Sequence, residues 1–304
     1  MSEPCTGVII RHLRMQNKIS QKKLAEGIIS VVQLSRAEYG HYELTEEEAA
    51  ALFERLGFEE LYGSEISNED ERKIASLKKK VTNYLCIHDY ETAASLIAKM
   101  EANPEFNDNG LNHQFLLRSK AMLCLSMNKD IGLVRTYLDE AIKYSIPNFA
   151  ENKVHTYMLK SEDIEVIGMY ADLYYRDNMH EKALTLQERL IIGIKKNTYD
   201  EDEVARALVL ALYNLALYHE YFKSFKKAIL ACDEALEIGR ENMIYGQIPY
   251  IMANKAFFHF KLKDAAKGKE CYLQAYYTFL AFGFESAAAG LKDFVHREHG
   301  YHLC

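Results

Sequence analysis

This sequence predicts an all-α chain in two parts, a small helical domain followed by a long array of helical hairpins. Three observations carry that expectation. Residues 20–40, SQKKLAEGIISVVQLSRAEYG, read as two short helices about a tight turn. Small residues recur at fixed positions of a period of about 34 residues farther along the chain. Only 4 prolines and 15 glycines interrupt 304 residues, which favours long helices with short connections.

The first helix is expected over residues 7–16, with Val8, Ile9 and Leu13 inward and Arg11, His12 and Arg14 outward. Ser20 can cap the second helix, whose buried stripe is Leu24, Ala25 and Ile28. Gly27 loosens the end of that helix, Ser30 caps the third, Leu34 packs inward and Gly40 closes the pair. Thr45 and Glu48 form a capping box for a fourth helix. Its apolar face is Ala49, Ala50, Leu52, Phe53 and Leu56, and Gly57 ends it. This is the pattern of a helix-turn-helix, whose second helix enters the major groove of double-stranded DNA. The domain is expected over residues 1–66, with a linker helix region over 67–80 that starts at residues 67–70, SNED.

The candidate DNA contacts are Gln21, Lys22, Ser30, Val31, Val32, Gln33 and Arg36. Gln21 opens the second helix and suits a phosphate, since helix amino termini favour anions; the alternatives are a bond to the recognition helix and a solvated polar side chain. Gln33 suits adenine and Arg36 guanine or phosphate. One of Val31 and Val32 can touch a thymine methyl while the other serves as core. Arg36 could instead bridge to Glu38 or another local acid. Glu38 reads as structural, an ion pair within the domain.

Charge sets a limit on this reading. The chain carries a net charge of −7, and residues 1–66 hold seven lysines and arginines against eleven glutamates, a net of −4. Binding to DNA is therefore not a bulk electrostatic effect. The basic residues gather in 11–23 and most acids fall in 43–65.

In the remainder, Ala183 at repeat position 20 puts Ala171 at 8, Tyr174 at 11 and Tyr170 at 7. Ala228 at position 20 puts Ala216 at 8, Leu215 at 7 and Ala235 at 27. Gly268 at position 20 puts Ala256 at 8 and Ala275 at 27. Small residues are needed there because the two helices of a hairpin cross closely. Repeats therefore begin near 164, 209 and 249, with further ones near 74–107 (Tyr84, Ala93) and 113–147 (Ala121, Ala141). The last of these needs a one-residue insertion. Residues 284–299 would form a capping helix. The array is expected over 74–304 as a tetratricopeptide-like α-superhelix.

Such arrays line a concave groove with their first helices. Asn214 and Asn254 fall at position 6 of successive repeats, and an asparagine amide can satisfy both the N–H and the C=O of a peptide backbone. Tyr213, Leu217, Tyr221, Tyr250 and Phe257 are candidate pocket residues, although most aromatics in an array simply pack. Arg176 is the candidate partner for a peptide carboxylate, with Arg206 and Lys255 as further ones.

Other classes find little support. The six cysteines (Cys5, Cys86, Cys124, Cys232, Cys271, Cys304) are scattered without metal-ligand spacing and are expected as reduced thiols packed in helices. No metal or cofactor is expected. No apolar run is long enough for a membrane span, so a cytoplasmic protein without membrane partners is expected. There is no P-loop, GxSxG or HExxH, and His88-Asp89 and His180-Glu181 lie at repeat turns facing solvent, so no enzyme is expected.

The chain resembles the peptide-responsive quorum-sensing regulators of Gram-positive bacteria, the Rgg, Rap, NprR, PlcR and PrgX group. The resemblance rests on Leu24-Ala25-Glu26-Gly27-Ile28, Ser30, Leu34-Ser35-Arg36, Glu38 and Gly40, together with the tetratricopeptide-like array. It implies a homodimeric transcription regulator. A short signalling peptide on the concave face, held by asparagines such as Asn214 and Asn254, would alter its DNA binding. The chain departs from the group at Ala37, where a larger aliphatic residue is usual, and at Tyr39 and His41, which replace the commoner Asn and Lys. A repeat-based protein–protein adaptor and a helix-turn-helix regulator needing no peptide are the alternatives.

Overall fold

The computed structural model describes residues 6–57, 69–86, 89–107, 110–127, 130–197 and 201–300. Every regular element among them is helical. The chain falls into two compact units, Met1–Leu173 and Tyr174–Cys304. The expected helix start at Ser67, and Cys5, His88 and Cys304, lie outside the described residues.

The first unit opens with α1 (Thr6–Gln16), α2 (Gln21–Ala25), α3 (Val31–Glu38) and α4 (Glu46–Arg55). The local signals decide the starts. Ser20 accepts from the Lys23 backbone N–H, and Thr45 with Glu48 makes the full reciprocal box. Gly27, Gly40 and Gly57 all have φ between 74° and 77°, the left-handed region that ends helices. Leu24, Leu34 and Leu52 are fully buried.

The face of α1 differs from expectation. Gly7, Ile10 and Leu13 are buried, while Val8 is 45% exposed. The reason is a close approach: a Cβ on Gly7 would stand 1.9 Å from the Ala37 carbonyl oxygen, so only glycine lets α1 lie on the end of α3. That turns the 7–10–13 stripe inward. It also brings Arg14 in. Arg14 Nε and Nη2 donate to the two oxygens of Glu38 at 2.5 and 2.8 Å, and Nη1 donates to the Ile19 carbonyl at 2.9 Å. His12 does not face open solvent either, since its Nε2 lies 2.9 Å from the Thr156 carbonyl.

Two hairpins follow in the same unit, α5 (Glu69–Cys86) with α6 (Tyr90–Glu101) and α7 (Leu111–Ser126) with α8 (Ile131–Lys143). The small residues Ala93, Ala121 and Ala141 are fully buried at their crossings. Val81, Ile97, Phe106 and Phe115 belong to one apolar cluster beneath them. A 3-10 turn, Glu151–Thr156, then leads to residues 157–160, which carry the amino-terminal helices. Gln16 pairs with both backbone groups of Met158, and Lys160 Nζ donates to the Gly57 carbonyl at 2.6 Å. Beneath Lys160 the buried Asp163 accepts from the Lys160 backbone N–H at 3.1 Å, from Gln114 at 3.2 Å and from the Ser145 hydroxyl. Burial pushes its carboxyl up, opposed by the Lys160 charge.

Helix α9 (Ser161–Arg176) runs across the boundary between the units. The second unit continues with α10 (His180–Asn197), α11 (Glu201–Tyr221), α12 (Phe225–Glu241), α13 (Ile248–Lys261), α14 (Ala265–Ala281) and α15 (Glu285–His299). Ala183, Ala216, Ala228, Ala235, Ala256 and Ala275 are all buried. A Cβ on Gly268 would stand 2.6 Å from the Phe260 ring, so position 20 of that repeat is a close crossing. The turns share one device. Asn178, Lys223, Lys263 and Gly283 take φ of 59°, 53°, 61° and 75°. The next N–H then returns to a carbonyl five residues back, as in Ser224 to His219 at 2.9 Å and Asp264 to His259 at 3.0 Å. Val295 of α15 closes the array against Ala256 and Tyr272.

Candidate functional site

The exposed face of α3 comes from its caps. Ser30 accepts from the Gln33 N–H, and the Gln33 side-chain oxygen accepts from the Ser30 N–H at 3.1 Å and its hydroxyl at 2.7 Å. This second capping box, S-x-x-Q, is present in the sequence and was readable there. It engages the Gln33 amide, whose Nε2 also reaches Tyr42 at 3.3 Å. What α3 presents freely is Val31 at 42% exposure, Val32 at 69%, and Arg36, also exposed. Both valines are thus outside the core. Arg36 does not bridge to Glu38, which is 1% exposed and taken by Arg14.

Gln21 takes the inward of its expected roles, a bond to the recognition helix, donating to Glu38 at 2.8 Å. Glu38 therefore fixes α1, α2 and α3 to one another, as an intradomain ion pair. Lys22 is exposed at the start of α2. Arg55, read from the sequence only as a charge, donates to the Leu24 carbonyl at 3.0 Å and to that of Glu26. It satisfies the orphaned carbonyl end of α2 and so sets the turn before α3.

In the second unit, Tyr213 and Asn214 lie on α11 and Asn254 on α13, all half-buried. Tyr213 and Asn254 are brought together: burial pushes the Tyr213 phenol up, and its contact with the Asn254 side chain works against that. The Asn254 Nδ2 is enclosed and faces the Tyr213 phenol without a well-aligned hydrogen bond to it or to another described residue. An enclosed amide donor left open is costly, and one extra acceptor would satisfy it. Tyr250 packs its ring 4.8 Å from Phe279 and 6.2 Å from Phe284. Phe257 lies 6.1 Å from Phe294, with Lys261 Nζ 4.9 Å from its ring.

Tyr221 belongs to a different cluster. It is 51% exposed and its ring packs 3.5 Å from His180 and 6.0 Å from Tyr175. His180 thus packs on aromatics instead of facing solvent alone. Leu217 is half-buried on α11, and Arg176 and Arg206 are exposed. Lys255 is engaged by Asp233 at 2.5 Å and is not an open partner for a peptide carboxylate. Cys124, Cys232 and Cys271 are buried thiols outside any disulfide, and burial pushes Cys232 up to about 12. No group of three His, Cys, Asp or Glu residues able to hold a metal occurs among the described residues. No described helix is long and apolar enough to cross a membrane.

Residues 10–62 match the family model HTH_3, helix-turn-helix. A comparison with curated proteins gives no match. Among solved structures, PlcR of Bacillus thuringiensis in complex with the peptide PapR7 and DNA is similar, with a TM-score of 0.64 and 16% identity, over 94% of this chain and 98% of that one. ComR from S. thermophilus in complex with DNA and its signalling peptide ComS gives a TM-score of 0.54 and 19% identity, over 95% and 97%. The competence regulator ComR from Streptococcus vestibularis with its cognate signaling peptide XIP gives 0.53 and 17%, over 94% and 97%. The chain therefore has the fold it shares with PlcR and ComR, a helix-turn-helix domain followed by stacked, tetratricopeptide-like helix pairs.

Proposed function

We propose that this chain is a sequence-specific transcription regulator whose repeat helices bind a short signalling peptide and thereby alter its DNA binding. One observation carries the peptide half of this reading: the enclosed Asn254 amide beside Tyr213, whose Nδ2 makes no well-aligned hydrogen bond among the described residues, on the helix and at the repeat position where an extended backbone would be held. The solved relatives PlcR and ComR, which carry DNA and peptide, support it. Asn214, one repeat earlier, supplies the second grip, and Leu217, Tyr221, Tyr250 and Phe257 border the groove, with Arg176 toward its end. On DNA, Val31, Val32 and Arg36 read bases, Ser30 and Gln33 hold the first turn of α3 for them, Gln21 secures Glu38 within the domain, and Lys22 sits toward the backbone. The working form is a homodimer, because paired reading heads match two half-sites. The peptide shifts the dimer between two arrangements by binding one better than the other.

The test is enrichment of sheared genomic DNA from the source organism on the purified full-length protein, at a stated salt concentration. A few sharp peaks with a two-fold-symmetric motif support the reading. Synthetic peptides encoded by short open reading frames beside those peaks are then added. Asn214→Ala with Asn254→Ala should remove the response to an active peptide while leaving DNA binding and melting temperature unchanged. A response that survives the double substitution would take both residues out of the site.

A further inference from the structure

At the end of the recognition helix an arginine stands over the ring of an exposed tyrosine. The Arg11 Cζ stands 4.4 Å from the centroid of the Tyr39 ring, a cation–π contact. Tyr39 is the C-cap of α3 and is 58% exposed, a large aromatic surface to leave in water on a domain this small. Arg11 is half-buried, and no hydrogen bond or ion pair to it occurs among the described residues. Its neighbour Arg14 is neutralised by Glu38, so the two arginines of α1 are treated differently.

Stacking leaves the donors of a guanidinium free, because they lie in its plane and point away from the ring. A guanidinium braced from below and open at its edge is suited to a bidentate acceptor such as phosphate. The position fits as well. Helix α3 has 8 residues, so its two ends are about 12 Å apart. The major groove is about 12 Å wide. With the Val31 end of α3 in the groove, the Arg11–Tyr39 pair at the other end comes to its rim, where the backbone runs.

We infer that Arg11, braced on Tyr39, is a phosphate clamp that grips the DNA backbone at the carboxy-terminal end of the recognition helix. This rests on the reading of the amino-terminal helices as a DNA-binding domain. The pair adds affinity without sequence preference, and it compensates for a recognition helix with a single basic residue, Arg36.

The experiment measures affinity against salt for full-length wild type, Arg11→Gln, Arg11→Lys and Tyr39→Phe. The probes are a duplex of an enriched genomic site and a scrambled duplex of equal length. Arg11→Gln should weaken both about three- to fivefold and flatten the slope of log K against log salt by about 1. Arg11→Lys should keep the slope, and Tyr39→Phe, which keeps the ring, should match wild type. An unchanged slope in Arg11→Gln, with wild-type binding intact, would overturn the clamp and leave the DNA-binding reading standing. Wild-type protein that binds neither duplex even at low salt would overturn both. Unchanged melting temperatures keep the comparison free of folding effects.

Discussion

Replacing Glu38 by glutamine removes one charge and almost no volume from the centre of the amino-terminal helices. The carboxylate is 1% exposed and accepts from Arg14 Nε at 2.5 Å, Arg14 Nη2 at 2.8 Å and Gln21 Nε2 at 2.8 Å. A glutamine offers one acceptor oxygen and sets its own NH2 against a donor. Arg14, its side chain 14% exposed, loses its counter-charge. Removing one member of a buried pair costs about 3–5 kcal/mol. Arg14 keeps the Ile19 carbonyl at 2.9 Å and retains some water, so the cost falls at or below the bottom of that range, about 2–3 kcal/mol. At about 4–8 °C per kcal/mol for a domain of this size, the melting of these helices should fall by about 10–20 °C. Thermal unfolding of the full-length protein, with hydrogen exchange read over α1 and α3, checks this. The double variant Arg14→Met with Glu38→Leu should recover most of the loss, because an apolar pair replaces the ion pair and leaves no unpaired charge, only Gln21 without its acceptor and the Ile19 carbonyl without the Arg14 donor. Unchanged protection of α1 and α3 in Glu38→Gln would refute the view that this pair ties the three helices together.

Gly7→Ala and Gly268→Ala should differ although both add one methyl. The first meets the Ala37 backbone oxygen, which cannot move without parting α1 from α3, and should cost about 3 kcal/mol; the second meets only the Phe260 ring and should cost about 1 kcal/mol. Equal melting losses would argue against that distinction. Arg36→Ala should weaken binding to an enriched site by about 1–3 kcal/mol and relax preference at one base position, as read by titration against single-base variants of the site. Finally, burial holds His219 and His259 below the ordinary histidine range, helped by Lys227 and by Lys255 and Lys267, and opposed by Glu188 at the first and by Asp264 and Asp233 at the second. The unfolded state then takes up the protons first, so their contribution is complete above about pH 6.5 and is lost as pH falls through the folded-state values. A His219→Gln, His259→Gln variant should therefore lose less stability than wild type between about pH 7 and pH 5.5; parallel curves would count against it.

Much of the fold was legible in particular residues. The caps at Ser20, Thr45 and Glu48 and the left-handed glycines Gly27, Gly40 and Gly57 are local signals, and each acts within about one turn of itself. The repeat register was legible because a close helix crossing tolerates only a small side chain. Ala183, Ala216, Ala228 and Ala256 are accordingly buried at the expected positions. The site was less legible. Gln33 carries the side chain for reading a base and, three residues after Ser30, also that for a capping box; residue type does not say which of the two roles its amide takes. The same holds for Lys255, whose charge could meet a ligand until Asp233 is placed beside it.

The sequence by itself determined what depends on neighbours along the chain: where helices start and stop, which faces are apolar, and where hairpins cross. Contacts between residues far apart in sequence were decided only by tertiary structure. The facing of α1 is one, because it follows from the gap between Gly7 and Ala37 and not from the order of apolar residues in the helix. The pairing of Arg14 and Gln21 with Glu38 is another, as is the stacking of Arg11 on Tyr39. A charged side chain has many partners within reach of its composition, and the one it takes is set by which backbones pack closely enough to exclude water around the pair.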